Sequence, residues 1–159
     1  MKKLNRKGFT LIELLAVIVV LAIIIVVTIP SVISSMNSAK KSQLENAAGT
    51  VTEWFTKQYE LDSLGAGVAG GPSSEYNTFK ETLDNNALPT EEPKGTDGKT
   101  KENLTQDVLK AAGITNPAGL TGTVYVKGSK ICVILNAGDD SQFHNTGTGA
   151  KNKVEGSGC

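Results

Sequence analysis

With 159 residues the chain has room for one small globular domain and one long extra helix, and no more. Its 16 basic and 16 acidic residues cancel, which argues against the strongly basic surface that grips nucleic acid, and four Phe, three Tyr and one Trp make no stacking platform for bases. No phosphate-binding Gly-Lys-Ser/Thr loop, zinc-type cysteine cluster or dinucleotide fingerprint is present, so an enzyme has no residues to stand on and no cofactor is expected.

The first element is a short basic leader, Met1 to Gly8, carrying Lys2, Lys3, Arg6 and Lys7. Without it the remainder holds 12 basic and 16 acidic residues, a net charge of −4. After Glu13, residues 14–39 carry no charge at all. A helix rises about 1.5 Å per residue, so roughly 20 apolar residues cross the hydrocarbon layer of about 30 Å, and the run is long enough to span a membrane. Four positive charges before it, against Lys40-Lys41 just after, place the N-terminus inside and the rest outside. A secretory signal would instead be cut after the run, at Ser34-Ser35 or Ser38-Ala39, but the run is longer than such a signal needs and Glu13 would have no part in it.

Glu13 is the residue that a simple membrane span leaves unexplained. A carboxylate deep in an apolar helix costs about 2.5–3.5 kcal/mol on insertion scales, and no basic residue lies between Thr10 and Ala39 to offset it. A cut between Gly8 and Phe9 would create an α-ammonium about one helical turn away, able to pair with Glu13 of the same chain or of a neighbour.

Beyond Pro30, which removes a backbone donor and predicts a kink or weak point over residues 26–30, the helical pattern continues. Leu44, Ala47, Ala48, Val51, Trp54, Phe55 and Tyr59 recur at helical spacing and form a face that needs covering. From Phe9 to about Leu61 the element would run roughly 80 Å if wholly helical. The glycine-rich stretch 65–72 ends it and opens a loop-rich region, 65–122, with two short helices. One carries Tyr76, Phe79 and Leu83 and is stopped by Pro89; the other carries Leu104, Val108, Leu109 and Ala112, with Gly113 as its cap. Thr90 to Thr100 reads as exposed loop. Strands follow at 123–127 and 130–135, joined through Gly128-Ser129 as a tight hairpin, and a third is expected around Lys151 to Glu155.

Lys7-Gly8-Phe9-Thr10-Leu11-Ile12-Glu13, followed by the apolar run from Leu14, resembles the prepilin signature of type IV pilins and pseudopilins. The resemblance covers roughly the first third of the chain. It implies that a prepilin peptidase cuts after Gly8 and N-methylates Phe9, that Glu13 is needed for subunit docking, and that Pro30 lies where the helix loosens in a filament. It also implies an α+β fold, a long N-terminal helix on a small antiparallel sheet, divided as leader 1–8, membrane and assembly helix 9–39, and head 40–159.

Cys132 and Cys159 are the only cysteines, and outside the membrane an even count favours a disulfide over a catalytic thiol. The bridge would tie down a Gly- and Asn-rich tail, an effect of about 3–4 kcal/mol on the chain-entropy model. Many pilins bound a C-terminal loop in this way. Some pseudopilins bind calcium there, and Asp139, Asp140, Asn145 and Glu155 offer oxygens; the spacing of an EF-hand loop is absent, so no metal is expected. His144 reads as a surface residue without a supporting acid or nucleophile.

Three roles compete. The first is a structural subunit of a type IV pilus, a helical homo-oligomer built by pilus assembly machinery, with a membrane precursor and a cell-surface product. The second is a pseudopilin of a type II secretion or competence (DNA-uptake) system, with the same N-terminus and a short fibre. The third is a one-span surface binding module, which is never cut at Gly8. Adhesion and twitching motility accompany the first role.

Overall fold

A computed structural model describes residues 9–65, 70–147, 151–156 and 159. The leader, including the expected cleavage residue Gly8, lies outside the described residues. The chain divides into two units, Met1–Met36 and Asn37–Cys159. Helix α1, Leu11–Ser63, supplies all the regular structure of the first unit and begins the second.

In the first unit every large apolar side chain from Phe9 to Met36 is exposed. The few polar side chains satisfy themselves locally: the Thr28 hydroxyl donates to Ile25 O at 3.3 Å and the Ser35 hydroxyl to Ser31 O at 3.0 Å. Such back-bonding hides hydroxyls from an apolar surrounding. The helix runs without interruption through Pro30, the expected weak point. Proline costs one donor there and leaves the Val26 carbonyl without its helical N–H, while the turns on both sides keep the helix continuous.

In the second unit α1 buries Leu44, Ala47, Ala48, Val51 and Phe55, the stripe that the spacing predicts, with Trp54 and Tyr59 half-buried at its margin. Phe55 is the hub of an aromatic cluster. Trp54 meets it edge-on at 4.9 Å between centroids, Phe79 at 5.5 Å and Tyr76 at 6.2 Å, separations at which aromatic rings attract.

Tyr76 and Phe79 come from helix α2, Ser74–Glu81, which starts where the Ser73 hydroxyl accepts the Tyr76 N–H. The helix stops eight residues before Pro89, earlier than expected, and Leu83 instead caps a 3₁₀ turn, Asp84–Asn86. Asn85 and Asn86 take the left-handed conformation at φ 60° and 51°, which asparagine tolerates and an α-helix does not. A half-buried Lys80–Asp62 ion pair at 2.6 Å and the Ser73 N–H donated to Gln58 Oε1 at 2.7 Å hold α2 to α1.

Helix α3, Gln106–Ala111, is capped by Thr105, so Leu104 precedes it instead of lying inside. Gly113 terminates it as predicted: at φ 97° it lets its own N–H reach Lys110 O and the Ile114 N–H reach Leu109 O, both within 3.0 Å. That pair of bonds is a Schellman motif.

Three antiparallel strands, in the order β1 (Leu120–Lys127), β2 (Lys130–Ala137) and β3 (Lys153–Glu155), complete the head. Lys127 pairs with Lys130 across Gly128-Ser129, the predicted hairpin. β1 begins earlier than expected, through Gly122, a residue that weakens strands in general. Here glycine is required, because an added Cβ would strike the Ile134 carbonyl and crowd Leu135 and Leu104. The fold class is the α+β arrangement expected, a long helix with a small antiparallel sheet.

The outer edge of β1 is closed by the loop-rich region. The Asn103 carboxamide donates to Val124 O at 2.9 Å and accepts the Val124 N–H at 2.8 Å, imitating the main chain of a neighbouring strand. Pro89 O accepts the Val126 N–H at 2.7 Å, and Gly122 O accepts the N–H groups of Asn103 and Leu104. Thr90 to Thr100 folds into a tight turn, with Lys94 bridged to Thr100, and stays largely exposed as expected.

Replacing Gly122 by Ala overpacks this junction, so we expect a loss of about 1–3 kcal/mol in urea unfolding of the detergent-solubilised chain. An unchanged midpoint would show that β1 has room for the methyl group.

Candidate functional site

The chemistry of the first unit is concentrated at the start of α1. Thr10 is the residue before the helix and Glu13 the third residue inside it, and the two close on each other. The Thr10 N–H and the Thr10 hydroxyl both donate to Glu13 Oε2 at 2.8 Å. The Glu13 N–H lies 3.4 Å from Thr10 Oγ1. This is a capping box, in which a Ser or Thr cap and a glutamate three residues on satisfy each other's open donors.

Sequence reasoning overlooked it, having sought only a cation for Glu13. The signal was present in Thr10-Leu11-Ile12-Glu13, a capping pattern just before an apolar run. Glu13 therefore already has a partner within its own chain. The carboxylate is exposed on the helix surface, beside Phe9, which is 85% exposed, and a hollow lined by Phe9, Glu13, Leu14, Ala16 and Val17 adjoins it. Pro30 lies further along the same helix and shares no contact with this group.

Cys132 is buried and Cys159 exposed, both as free thiols in the structure. Forming the expected bridge removes two electrons and two protons, which requires an oxidant; a fold supplies only proximity. Proximity is present. Burial, reinforced by the adjacent Cys132 thiol, pushes the Cys159 thiol from its ordinary 9.0 up to about 12, and Cys159 Sγ lies 4.0 Å from Val133 O. Tyr125 faces Cys132 across β1 and β2, and its hydroxyl is pushed up by burial and by the Cys132 thiol.

The acidic C-terminal loop disperses instead of converging. Asp139 and Asp140 are exposed, Glu155 is exposed on β3, and Asn145 is buried with its side-chain N–H donated to Lys151 O at 3.3 Å. Among the described residues no three His, Cys, Asp or Glu side chains gather as metal ligands do. His144 is not the surface residue expected. Its side chain is only 20% exposed, with Nδ1 3.3 Å from Ala137 O and Nε2 3.4 Å from Asp139 Oδ1. The turn over 138–144, closed by the Ser141 N–H to Gly138 O and the His144 N–H to Ser141 O, folds the ring back over the end of β2.

Residues 3–29 match the family model described as the prokaryotic N-terminal methylation motif, the prepilin-type signature of type IV pilin and pseudopilin families. The match contains Gly8, Phe9, Thr10 and Glu13 and ends just before Pro30. No curated protein and no solved structure matches the chain. The motif is similar to that of prepilin-type precursors, and α1 is long and apolar enough to cross a membrane.

Proposed function

We propose that this chain is the structural subunit of a type IV pilus: a membrane precursor cut after Gly8, N-methylated at Phe9 and assembled as a helical homo-oligomer by pilus machinery. The observation that carries the reading is a helix whose apolar surface from Leu11 to Met36 is wholly uncovered and bears a single carboxylate, inside a matched prepilin motif. The role is architectural, with no catalytic step.

On this reading the helix exchanges lipid for neighbouring helices, and Glu13 meets the Phe9 ammonium of another subunit. A lone charged pair in an otherwise apolar bundle sets axial register. Removing one partner of a buried pair costs about 3–5 kcal/mol, enough to halt growth when it recurs at each subunit. The precursor has no such ammonium, so insertion does not depend on the pair.

The capping box sharpens the test. Glutamine can serve in a capping box as glutamate does, but it carries no charge. Glu13→Gln should therefore insert, be cut to a mature terminus at Phe9 and accumulate in the membrane, with few or no filaments by electron microscopy. Filaments at the wild-type level would sink the proposed pairing, and an intact Met1 terminus on surface protein would sink the processing step and favour the one-span surface module. Short fibres tied to secretion or DNA uptake would select the pseudopilin.

We further propose that Cys132 and Cys159 join once the head is outside the cell; Cys159 Sγ lies 4.0 Å from the carbonyl of Val133, the residue after Cys132. Protein sheared from cells should then have no titratable thiol. Reduction should loosen the tail beyond residue 137 in hydrogen exchange and leave α1 protected; two free thiols in native protein would refute the bridge.

A further inference from the structure

We propose that the head carries a self-complementary charged surface, with the tip of the β1–β2 hairpin as its cationic arm and the carboxylates of a neighbouring cleft as its anionic arm, and that its partner is the same surface of a second copy. The inference needs only the folded head and stands apart from the filament reading.

Lys127 and Lys130 sit directly opposite one another across β1 and β2, and both are exposed, as are Gly128 and Ser129 between them. Like charges placed opposite each other on neighbouring strands destabilise a sheet. Neither ammonium is in an ion pair among the described residues. The tip therefore holds two cations together at a cost that no carboxylate of the head offsets, and an anionic group from outside would offset it.

The anionic arm lies on the same flank of the sheet. Thr121, Thr123, Tyr125 and Lys127 share one face of β1, since alternate residues of a strand point the same way. Residues 101–102 lie over that face: the Thr121 hydroxyl donates to Glu102 Oε1 at 2.6 Å and the Thr123 hydroxyl to Lys101 O at 3.4 Å. Next to Lys127, the Val126 N–H is donated to Pro89 O at 2.7 Å. Pro89, Lys101 and Glu102 all line one open cleft of about 740 Å³. Its charged lining is Asp84, Glu91, Glu92 and Glu102 against Lys94 and Lys101, so carboxylates exceed ammonium groups by two, and the two lysines of the tip match that excess. Asp84 and Glu91 are exposed and in no ion pair among the described residues.

This juxtaposition selects the partner. A polyanion such as nucleic acid would meet the lysines of the tip and be repelled by the carboxylates beside them, and a cationic peptide would meet the reverse. A partner with both signs in the opposite order avoids both penalties. A second copy related by a two-fold rotation has that order, its tip facing the first copy's cleft and its cleft the first copy's tip. That is the reciprocal arrangement of an isologous contact. One such contact between exposed charges is weak, but many copies displayed on one surface act together, so the contact suits the lateral association of surfaces that carry this head.

The test reconstitutes the full chain at high density into phosphatidylcholine vesicles, whose headgroups have no net charge, and reads vesicle clustering by turbidity. Lys127→Glu with Lys130→Glu makes the tip acidic. Thr90→Lys with Glu91→Lys makes the cleft basic and leaves the 3₁₀ turn at Asp84 untouched. All four positions are exposed. Wild-type vesicles should cluster at low salt and disperse by about 0.5 M NaCl, where screening leaves a reach of only a few ångströms. Each double variant alone should fall to the turbidity of protein-free vesicles, and a one-to-one mixture of the two should cluster again.

Dispersed wild-type vesicles would overturn the proposal, as would clustering by either double variant alone or a mixture that stays dispersed. Lys127→Gln with Lys130→Gln removes the like-charge pair without inverting it, so this variant should cluster less than wild type and melt no lower by circular dichroism. A lower melting point would show that the two lysines serve the single head, and would overturn the proposal as well. Vesicles display the chain without any assembly step, so none of these outcomes depends on whether filaments form.

Discussion

A carboxylate in an apolar helix is the constraint on which the N-terminal half of this protein depends. Glu13 is the only charged group between Phe9 and Ala39, and the surface around it has no other use for water or ions. The charge has to be satisfied by something. The structure satisfies half of it with Thr10, through a capping box that also supplies the first turn of α1 with a bond to its otherwise open N–H groups.

The head obeys a different constraint. A three-stranded sheet with a short third strand is marginal alone, and the second half of α1 supplies the face that completes a core. Thr52 sits at that seam. Its hydroxyl donates to Ala48 O at 2.7 Å, and Gly156, just after β3, comes so close to it that no side chain fits. On the other flank Asn103 and Pro89 occupy the outer edge of β1, so the strand presents no open ladder there. β3 is the opposite edge, short and lined by Lys153 and Glu155, a combination that discourages pairing with foreign strands.

Much of the helical architecture was legible because periodicity reports burial directly. Leu44, Ala47, Ala48, Val51 and Phe55 lie inward as their spacing requires, and Gly113 ends α3 because only glycine takes its φ without strain. Local chemistry competed with simpler signals elsewhere. Leu83 turned extended just after α2, well before its proline, and Thr105 drew the start of α3 past Leu104. The Thr10–Glu13 capping pattern is equally local in the chain, and it meets part of the need of Glu13 for a partner.

The sequence by itself determined the membrane-length helix, its single charge, the processing motif, the amphipathic stripe and the hairpin, because each depends on residues close together in the chain. Tertiary structure decided what depends on distant residues meeting. It brought the Cys159 thiol to Cys132, tucked His144 against Ala137 and Asp139, scattered the acidic residues of the last loop, and made Asn103 the edge partner of Val124. Spacing along a chain carries no information about such encounters, since they follow from how the loops close around the helix and sheet.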